Sequence, residues 1–108
     1  MEQIFNKLVR DNIPNIIKQN GEESVTKILD YEEYKKELYK KLLEEANEVI
    51  NAQNKDAIFE ELADVFEILK AIAELEDKNI NDVEEIANQK RLKRGGFSKR
   101  IFLENPYK

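Results

Sequence analysis

The chain has 108 residues, 41% of them hydrophobic, a size that favours one domain spanning residues 1–108. It contains no cysteine and no histidine, which excludes disulfides, thiolate metal sites and an imidazole base, so any chemistry must use carboxylates, lysines and arginines. A net charge of -5 argues against a nucleic-acid polymer as partner, and without an apparent membrane span or signal peptide we expect a cytoplasmic protein that does not contact membranes.

The first half of the chain predicts a short helix, a strand and a long helix. The short helix has Pro14 in its first turn and ends at Gly21. The segment "SVTKIL" (24–29) has the composition of a strand. Asp30 and Glu33 then resemble a capping box, after which apolar residues recur with helical spacing to about residue 53.

The second half predicts two more helices and a second strand. After the polar turn "QNKD", a second long helix covers roughly 56–76. Asn81 and Glu84 give the cap signal of a last helix over 81–94, which Gly95 can end, and "KRIFL" (99–103) is a strand that could pair with the first. The predicted fold is all-α, an antiparallel helical bundle, with a possible minor two-stranded β element near the termini.

Acidic residues of the first long helix fall on different sides of it. At about 100° per residue, Glu45 lies within the apolar stripe and Glu48 at its edge, whereas Glu44 points away. The stripe itself consists of Tyr31, Tyr34, Leu38, Leu42 and Val49.

The second long helix shows the same division. Glu61 lies within its predicted buried side and Asp64 lies beside that side, whereas Glu60 and Glu67 face away. The residues predicted to mark the buried side are Ile58, Leu62, Val65, Leu69 and Ile72.

A hairpin about "QNKD" would place Glu45 level with Asp64, and Glu48 level with Glu61. Four unpaired carboxylates in a cleft cost several kcal/mol each unless they are protonated or neutralised, and oxygen ligands suit Mg²⁺ or Mn²⁺. The alternative is structural pairing with lysines such as Lys41. A di-iron site would need Glu-x-x-His motifs, which a chain without histidine lacks.

Two cations are predicted to face these acids. Lys90 and Arg94 continue the inner face of the last helix, formed by Val83, Ile86 and Ala87, and could bind phosphate oxygens. The alternative is that the basic run "KRLKRGGFSKR" (90–100) is a solvated helix end.

At these residues the chain resembles the MazG-like nucleoside triphosphate pyrophosphohydrolases, including the phosphoribosyl-ATP pyrophosphohydrolase-like proteins. Their EExxE and ExxD motifs stand here as "EEANE" (44–48) and "ELAD" (61–64), and "KLVRDNIP" (7–14) and "KRLKRGGFSKRIFL" (90–103) resemble flanking blocks of one subgroup. The resemblance covers nearly the whole chain. It implies Mg²⁺-dependent cleavage of a nucleotide between its α- and β-phosphates, with Glu45, Glu48, Glu61 and Asp64 as catalytic residues and metal ligands.

The amino-terminal block adds two further candidates. Its resemblance to the subgroup makes Lys7 and Arg10 candidate phosphate contacts, and the alternative is a surface ion pair with Asp11 or another acid. The substrate is expected to be a nucleoside triphosphate, with phosphoribosyl-ATP or a modified nucleotide as alternatives.

The chain is also expected to form a homo-oligomer, a dimer or a dimer of dimers. Tyr39, Leu43, Ala46 and Ile50 give the first long helix a second apolar flank that three helices of one chain would not cover. A rival from another class is a helical interaction module without enzymatic activity, whose acids are surface charge and whose tyrosine-rich faces bind a protein.

Overall fold

A computed structural model describes residues 6–105, and within this range the chain forms four helices and no strand. The helices are α1 (Ile13–Gln19), α2 (Tyr31–Asn51), α3 (Lys55–Leu75) and α4 (Ile80–Arg94). The all-α prediction is therefore confirmed, and each helix boundary lies within about two residues of its predicted position.

The helices α2 and α3 form an antiparallel hairpin, which is the main packing unit of the described chain. The capping box predicted at the start of α2 is present, because the Asp30 carboxylate accepts from the Glu33 amide at 2.9 Å and Glu33 accepts from the Asp30 amide at 3.3 Å. At the open end of the hairpin, the Tyr31 hydroxyl donates to Glu76 at 3.3 Å, and Lys35 pairs with Glu76 at 3.3 Å. These contacts fix the register of the two helices.

The buried core of the hairpin is small. Among the described residues, the buried apolar side chains are Leu38 of α2 and Ile68 and Ala73 of α3. The predicted buried side of α3 was wrong in part, since Ile58, Leu62 and Leu69 are exposed by 37%, 43% and 37%. The buried direction of α3 passes instead through Ile68, with Val65 and Ile72 partly buried.

The helix α4 packs less extensively, against α3. Its cap differs from the prediction, because Asn79 and Asp82 form the capping box, two residues before Asn81 and Glu84. All residues of α4 from position 83 onwards are exposed. The helix ends at Gly95, whose positive φ of 79° is a conformation that other residues rarely adopt.

The predicted pair of strands was wrong. Residues 22–30 and 95–105 form no strand, and Val25 and Ile28 are almost fully exposed, as are Phe97 and Phe102. A two-stranded ribbon is marginal in water unless it packs on a further strand or a helix, and neither segment has such support within residues 6–105.

Within residues 6–105, no helix has the length and apolar character needed to cross a bilayer.

Candidate functional site

Three carboxylates meet in the middle of the α2–α3 hairpin. Glu45 lies on α2, and Glu61 and Asp64 lie one turn apart on α3. Each offers a carboxylate oxygen, and these oxygens all lie within 4.8 Å of one another. All three side chains are partly buried, and we call this group the acidic cluster.

Burial and like charge both act on Glu45. Partial loss of hydration raises the pKa of Glu45 above its ordinary value, and the neighbouring charge of Asp64 raises it further. Lys41 opposes this shift of the pKa, whereas Glu48 and Glu44 add to it. The raised pKa of Glu45 therefore reflects its partial burial first and the negative charge around it second.

Glu61 is in a similar position. Loss of hydration raises the pKa of Glu61, and repulsion from Asp64, Glu48 and Glu45 adds to the effect. A hydrogen bond with Asp64 also favours the protonated form of Glu61 and so raises the pKa. Two of the three carboxyls thus bind protons more tightly than an isolated glutamate does.

Glu48 stands apart from the acidic cluster. It is exposed, and it is not one of the three groups whose oxygens converge, although its charge raises the pKa of both Glu45 and Glu61. Glu44, expected on the surface, is partly buried and lies 3.9 Å from Lys41. Glu60 and Glu67 are exposed, as predicted from their positions around the helix.

One arginine contacts the acidic cluster directly. Arg10 precedes α1, and its Nη2 atom donates to the Oδ1 atom of Asp64 at 2.7 Å. Both side chains remain solvent-accessible, so the pair is an exposed one. The sequence offered two roles for Arg10, a phosphate contact or an ion pair with an acid, and the structure contains the ion pair.

Lys90 and Arg94 lie elsewhere. They line an open groove on α4 together with Ile86, Gln89 and Lys93. Neither is among the charges that shift the pKa of Glu45 or Glu61, and neither forms an ion pair within residues 6–105. Because α4 packs on α3 only lightly and is exposed from position 83 onwards, its basic end is not brought to the acidic cluster.

Lys7 lies in the same amino-terminal segment as Arg10 and is partly buried. Lys7 also has a non-covalent interaction with another group.

The acidic cluster suits a hard divalent cation in its donor chemistry. Its donors are carboxylate oxygens only, which Mg²⁺ and Mn²⁺ prefer, and their spacing allows one ion to touch all three. Burial and, after it, repulsion between the carboxylates raise the pKa of Glu45 and Glu61, and a bound cation would relieve that repulsion.

Lys41, the lysine beside Glu45, was already named from the sequence as a possible partner of these acids. Lys41 precedes Glu45 by four residues, and residues at this spacing are neighbours on a helix surface. The contact of Arg10 with Asp64 has no comparable signal, because 54 residues separate the two positions.

Comparison of the chain with protein-family models, with curated proteins and with solved structures found no match to it.

Proposed function

We propose that the chain is a Mg²⁺-dependent pyrophosphohydrolase that cleaves the α–β phosphoanhydride of a nucleoside triphosphate, giving a monophosphate and pyrophosphate. The observation that carries this proposal is the acidic cluster, in which Glu45, Glu61 and Asp64 converge from two facing helices. The motifs "EEANE" and "ELAD", which resemble those of MazG-like enzymes, supply these residues. We propose Mn²⁺ as a possible substitute for Mg²⁺.

The proposed ion would be held by Glu45, Glu61 and Asp64, with Glu48 at the rim of the site. Its chemistry is charge neutralisation and Lewis acidity towards phosphate oxygens. The chain's own contribution is to hold the carboxylates on two helices of fixed register. The contacts of Glu76 with Tyr31 and Lys35 keep this register.

The raised pKa of Glu45 and Glu61 bears on metal binding in this scheme. Loss of hydration and neighbouring negative charge both disfavour the ionised form of these two carboxyls in the metal-free site. A bound divalent cation would offset that repulsion and favour the ionised carboxylates that hold it.

Arg10 has two successive roles in the proposal. In the structure it balances the charge of Asp64. A guanidinium can fork onto phosphate oxygens, so Arg10 would turn to the phosphates when substrate is present, which also leaves Asp64 free as a ligand. Lys7, in the same segment, is proposed as a second phosphate contact. Lys90 and Arg94 could take part only if α4 moved or if another copy of the chain supplied them.

The test is pyrophosphate release from a panel of nucleotides with added Mg²⁺, with added Mn²⁺ and with EDTA. The panel contains the common nucleoside triphosphates, phosphoribosyl-ATP and base-modified triphosphates, because an ion held by the acidic cluster would bind phosphates whatever the base. We expect turnover with Mg²⁺ and none with EDTA.

Single substitutions should separate the carboxylates that are needed for turnover from those that are not. Glu45→Gln, Glu61→Gln and Asp64→Asn should each lose turnover by about a hundredfold or more, as expected when charge stabilisation at a reaction centre is removed. Glu48→Gln should lose less, because Glu48 lies outside the convergent group. The matched controls are Glu60→Gln and Glu67→Gln on the exposed side of α3, which should retain turnover. Equal losses in the two sets, or hydrolysis that persists in EDTA, would refute the proposal.

A further inference from the structure

The last part of the described chain is basic and contains no acid between positions 86 and 103. We call residues 86–103 the basic segment. Six cationic side chains lie within it, and all six are exposed: Lys90, Arg91, Lys93, Arg94, Lys99 and Arg100. Within residues 6–105, none of them forms an ion pair with a carboxylate. The positive charge of the basic segment is therefore available to a partner.

The net charge of the chain does not describe this segment. The value of -5 is the balance of +6 in residues 90–100 and -11 in the rest of the chain. The acidic part of the chain repels a polymer of phosphates, and the basic segment attracts one. The whole-chain charge therefore argues against such a partner for the helical hairpin and not for the basic segment.

The helix dipole accounts for only part of the positive charge. Arg91, Lys93 and Arg94 lie in the last turn of α4, where cations interact favourably with the negative end of the helix. Lys99 and Arg100 lie beyond the end of the helix, and the dipole effect falls off outside the last turn. A solvated helix end does not explain these two cations.

The cations of α4 border a groove along one side of the helix. Lys90, Lys93 and Arg94 line this groove together with Ile86 and Gln89, and its volume is about 240 Å³. Neighbouring members of this set are separated by one, three or four residues, so they form one face of the helix and follow its axis. A row of cations along a groove suits a ligand whose backbone carries a charge at every repeat.

After α4 the chain forms a turn that presents an aromatic ring among the cations. The Arg100 amide donates to the Phe97 carbonyl at 3.0 Å, which closes the turn 97–100. A Cβ atom on Gly96 would lie 3.3 Å from the guanidinium carbon of Arg91, so the missing side chain lets this cation lie against the turn. Phe97 is exposed by 97%. Its ring is therefore accessible to a flat ligand beside at least one cation.

We propose that the basic segment binds single-stranded nucleic acid, with phosphates along the groove of α4 and a base stacked on Phe97. Proteins that bind single strands combine a positively charged groove that follows the backbone with aromatic side chains on which bases stack. The basic segment has both features, and Phe102, exposed by 86%, supplies a second ring. The acidic cluster and Mg²⁺ take no part in this contact.

A bilayer surface is the other large anionic partner to compare. Proteins that lie on such a surface commonly use an amphipathic helix with a broad apolar face. Residues 95–105 are not helical, and Ile86 is the one apolar residue that lines the groove of α4. A flat bilayer also gains nothing from a groove, so these observations favour a single strand. The exposed aliphatic residues Ile101 and Leu103 make anionic vesicles a necessary arm of the test.

The first experiment measures fluorescence anisotropy of labelled oligonucleotides of about 16 nucleotides, the upper end of the site sizes of single-strand-binding folds. RNA and DNA of one sequence, as single strands and as duplexes, are titrated with the natural chain in EDTA. We expect single strands to bind more tightly, because the bases of a duplex are not available for stacking. A basic surface without stacking would favour the duplex, whose charge density is higher. The tighter of the two single strands identifies whether the surface takes RNA or DNA.

The salt dependence of binding tests the phosphate contacts. Each phosphate neutralised on a single strand contributes about -0.7 to the slope of the logarithm of the association constant against that of salt concentration, so six contacts give about -4. Lys93→Gln and Lys99→Gln should each make this slope less steep by about 0.7. The matched control is Lys55→Gln on α3, another exposed lysine, which should leave the slope unchanged.

A substitution at Phe97 tests the stacking. Phe97→Leu keeps an apolar side chain and removes the ring, so it should raise the dissociation constant for single strands by about fivefold or more. Phe59→Leu on α3 removes a ring that is exposed by 64% and should have no effect. Because both positions are exposed, circular dichroism should show the helical content of the natural chain in both variants.

Three outcomes would overturn the proposal. One is the absence of binding to single strands at low salt; if the chain then sediments with vesicles of phosphatidylserine and phosphatidylcholine, the partner is a membrane surface. Another is a duplex that binds as tightly as a single strand. The third is a Phe97→Leu variant that binds single strands like the natural chain. None of these measurements requires nucleotide hydrolysis, so a failed activity assay leaves the result for the basic segment intact.

Discussion

Replacement of Glu45 by glutamine in metal-free buffer tests whether the hairpin holds like charges together. The substitution keeps the shape of the side chain and removes a charge whose oxygen lies within 4.8 Å of Asp64. Two unit charges at that separation repel by about 0.9 kcal/mol even at the dielectric constant of water. Loss of the attraction to Lys41 offsets part of this gain. We expect a net stabilisation of about 0.5–1 kcal/mol, which raises Tm by about 2–4 °C in a domain of this size.

The effect should depend on pH with a definite sign. The pKa of Glu45 is raised above 4.5 in the folded state, so the folded state binds more protons than the unfolded state. Ionisation of Glu45 therefore destabilises the natural chain as pH rises through the folded pKa. Glu45→Gln should melt at nearly the same temperature as the natural chain below about pH 4.5 and at a higher temperature at neutral pH.

The assay is thermal unfolding followed by circular dichroism in EDTA, at one protein concentration, at acidic and at neutral pH. Glu60→Gln on the exposed side of α3 is the control, and its stability should stay within about 0.5 kcal/mol of that of the natural chain. A Glu45→Gln variant that melts lower than the natural chain at neutral pH would refute this reasoning. It would indicate that Glu45 is a structural partner of Lys41.

Three further predictions use the same unfolding assay. Mg²⁺ should raise Tm of the natural chain and raise Tm of Glu45→Gln much less, because the ion binds the folded site preferentially; equal responses would contradict a metal site. Arg10→Met should change stability by less than about 1 kcal/mol, since the pair with Asp64 is exposed, yet it should lower the Mg²⁺ concentration needed for half of the Tm shift. An unchanged or higher midpoint would mean that Arg10 does not compete with the ion. Asp30→Ala should destabilise the chain by about 1 kcal/mol through loss of the helix cap, with an unaltered response to Mg²⁺.

Helix positions could be predicted from the sequence because their ends carry local signals. Asp30 with Glu33 marks the start of α2 by hydrogen bonds between neighbours in the chain. The start of α4 was misplaced because "NIND" and "NDVE" both fit a capping pattern two residues apart, and Asn79 is the residue with extended backbone, at φ -138°. Local signals therefore predict the presence of a helix more reliably than they predict which of two nearby residues caps it.

The buried direction of α3 was harder to predict because the helix is apolar on two sides. Leu62 and Leu69 belong to a stripe as regular as that of Val65 and Ile72, and both stripes have helical spacing. Only contacts with α2 distinguish them, and such contacts are not encoded in the spacing of one helix. The prediction of two strands was wrong for a related reason. "SVTKIL" and "KRIFL" have the composition of strands, but no further strand or helix supports them within the described chain.

The positions of the acidic residues could be predicted in part from helical periodicity and from the position of the turn between α2 and α3. Glu45, Glu61 and Asp64 were placed together by turn position and periodicity, and the structure brings these three together. Glu48, at the edge of its stripe, is exposed. The cations Lys90 and Arg94 were assigned by extending one face of α4, but every residue of α4 from position 83 onwards is exposed.

The extended segment 22–30 makes the charge balance of the hairpin sensitive to proteolysis. A protease binds its substrate as an extended and accessible strand, and Lys27 offers a tryptic site in the middle of this segment. While the chain is intact, the tether presents Arg10 to Asp64 at an effective concentration in the millimolar range. A single cut would make that contact bimolecular, and the exposed ion pair would add little free energy to the retention of a released fragment. The partly buried residues of α1, such as Ile13 and Ile17, would then have to hold Arg10 beside the three carboxylates.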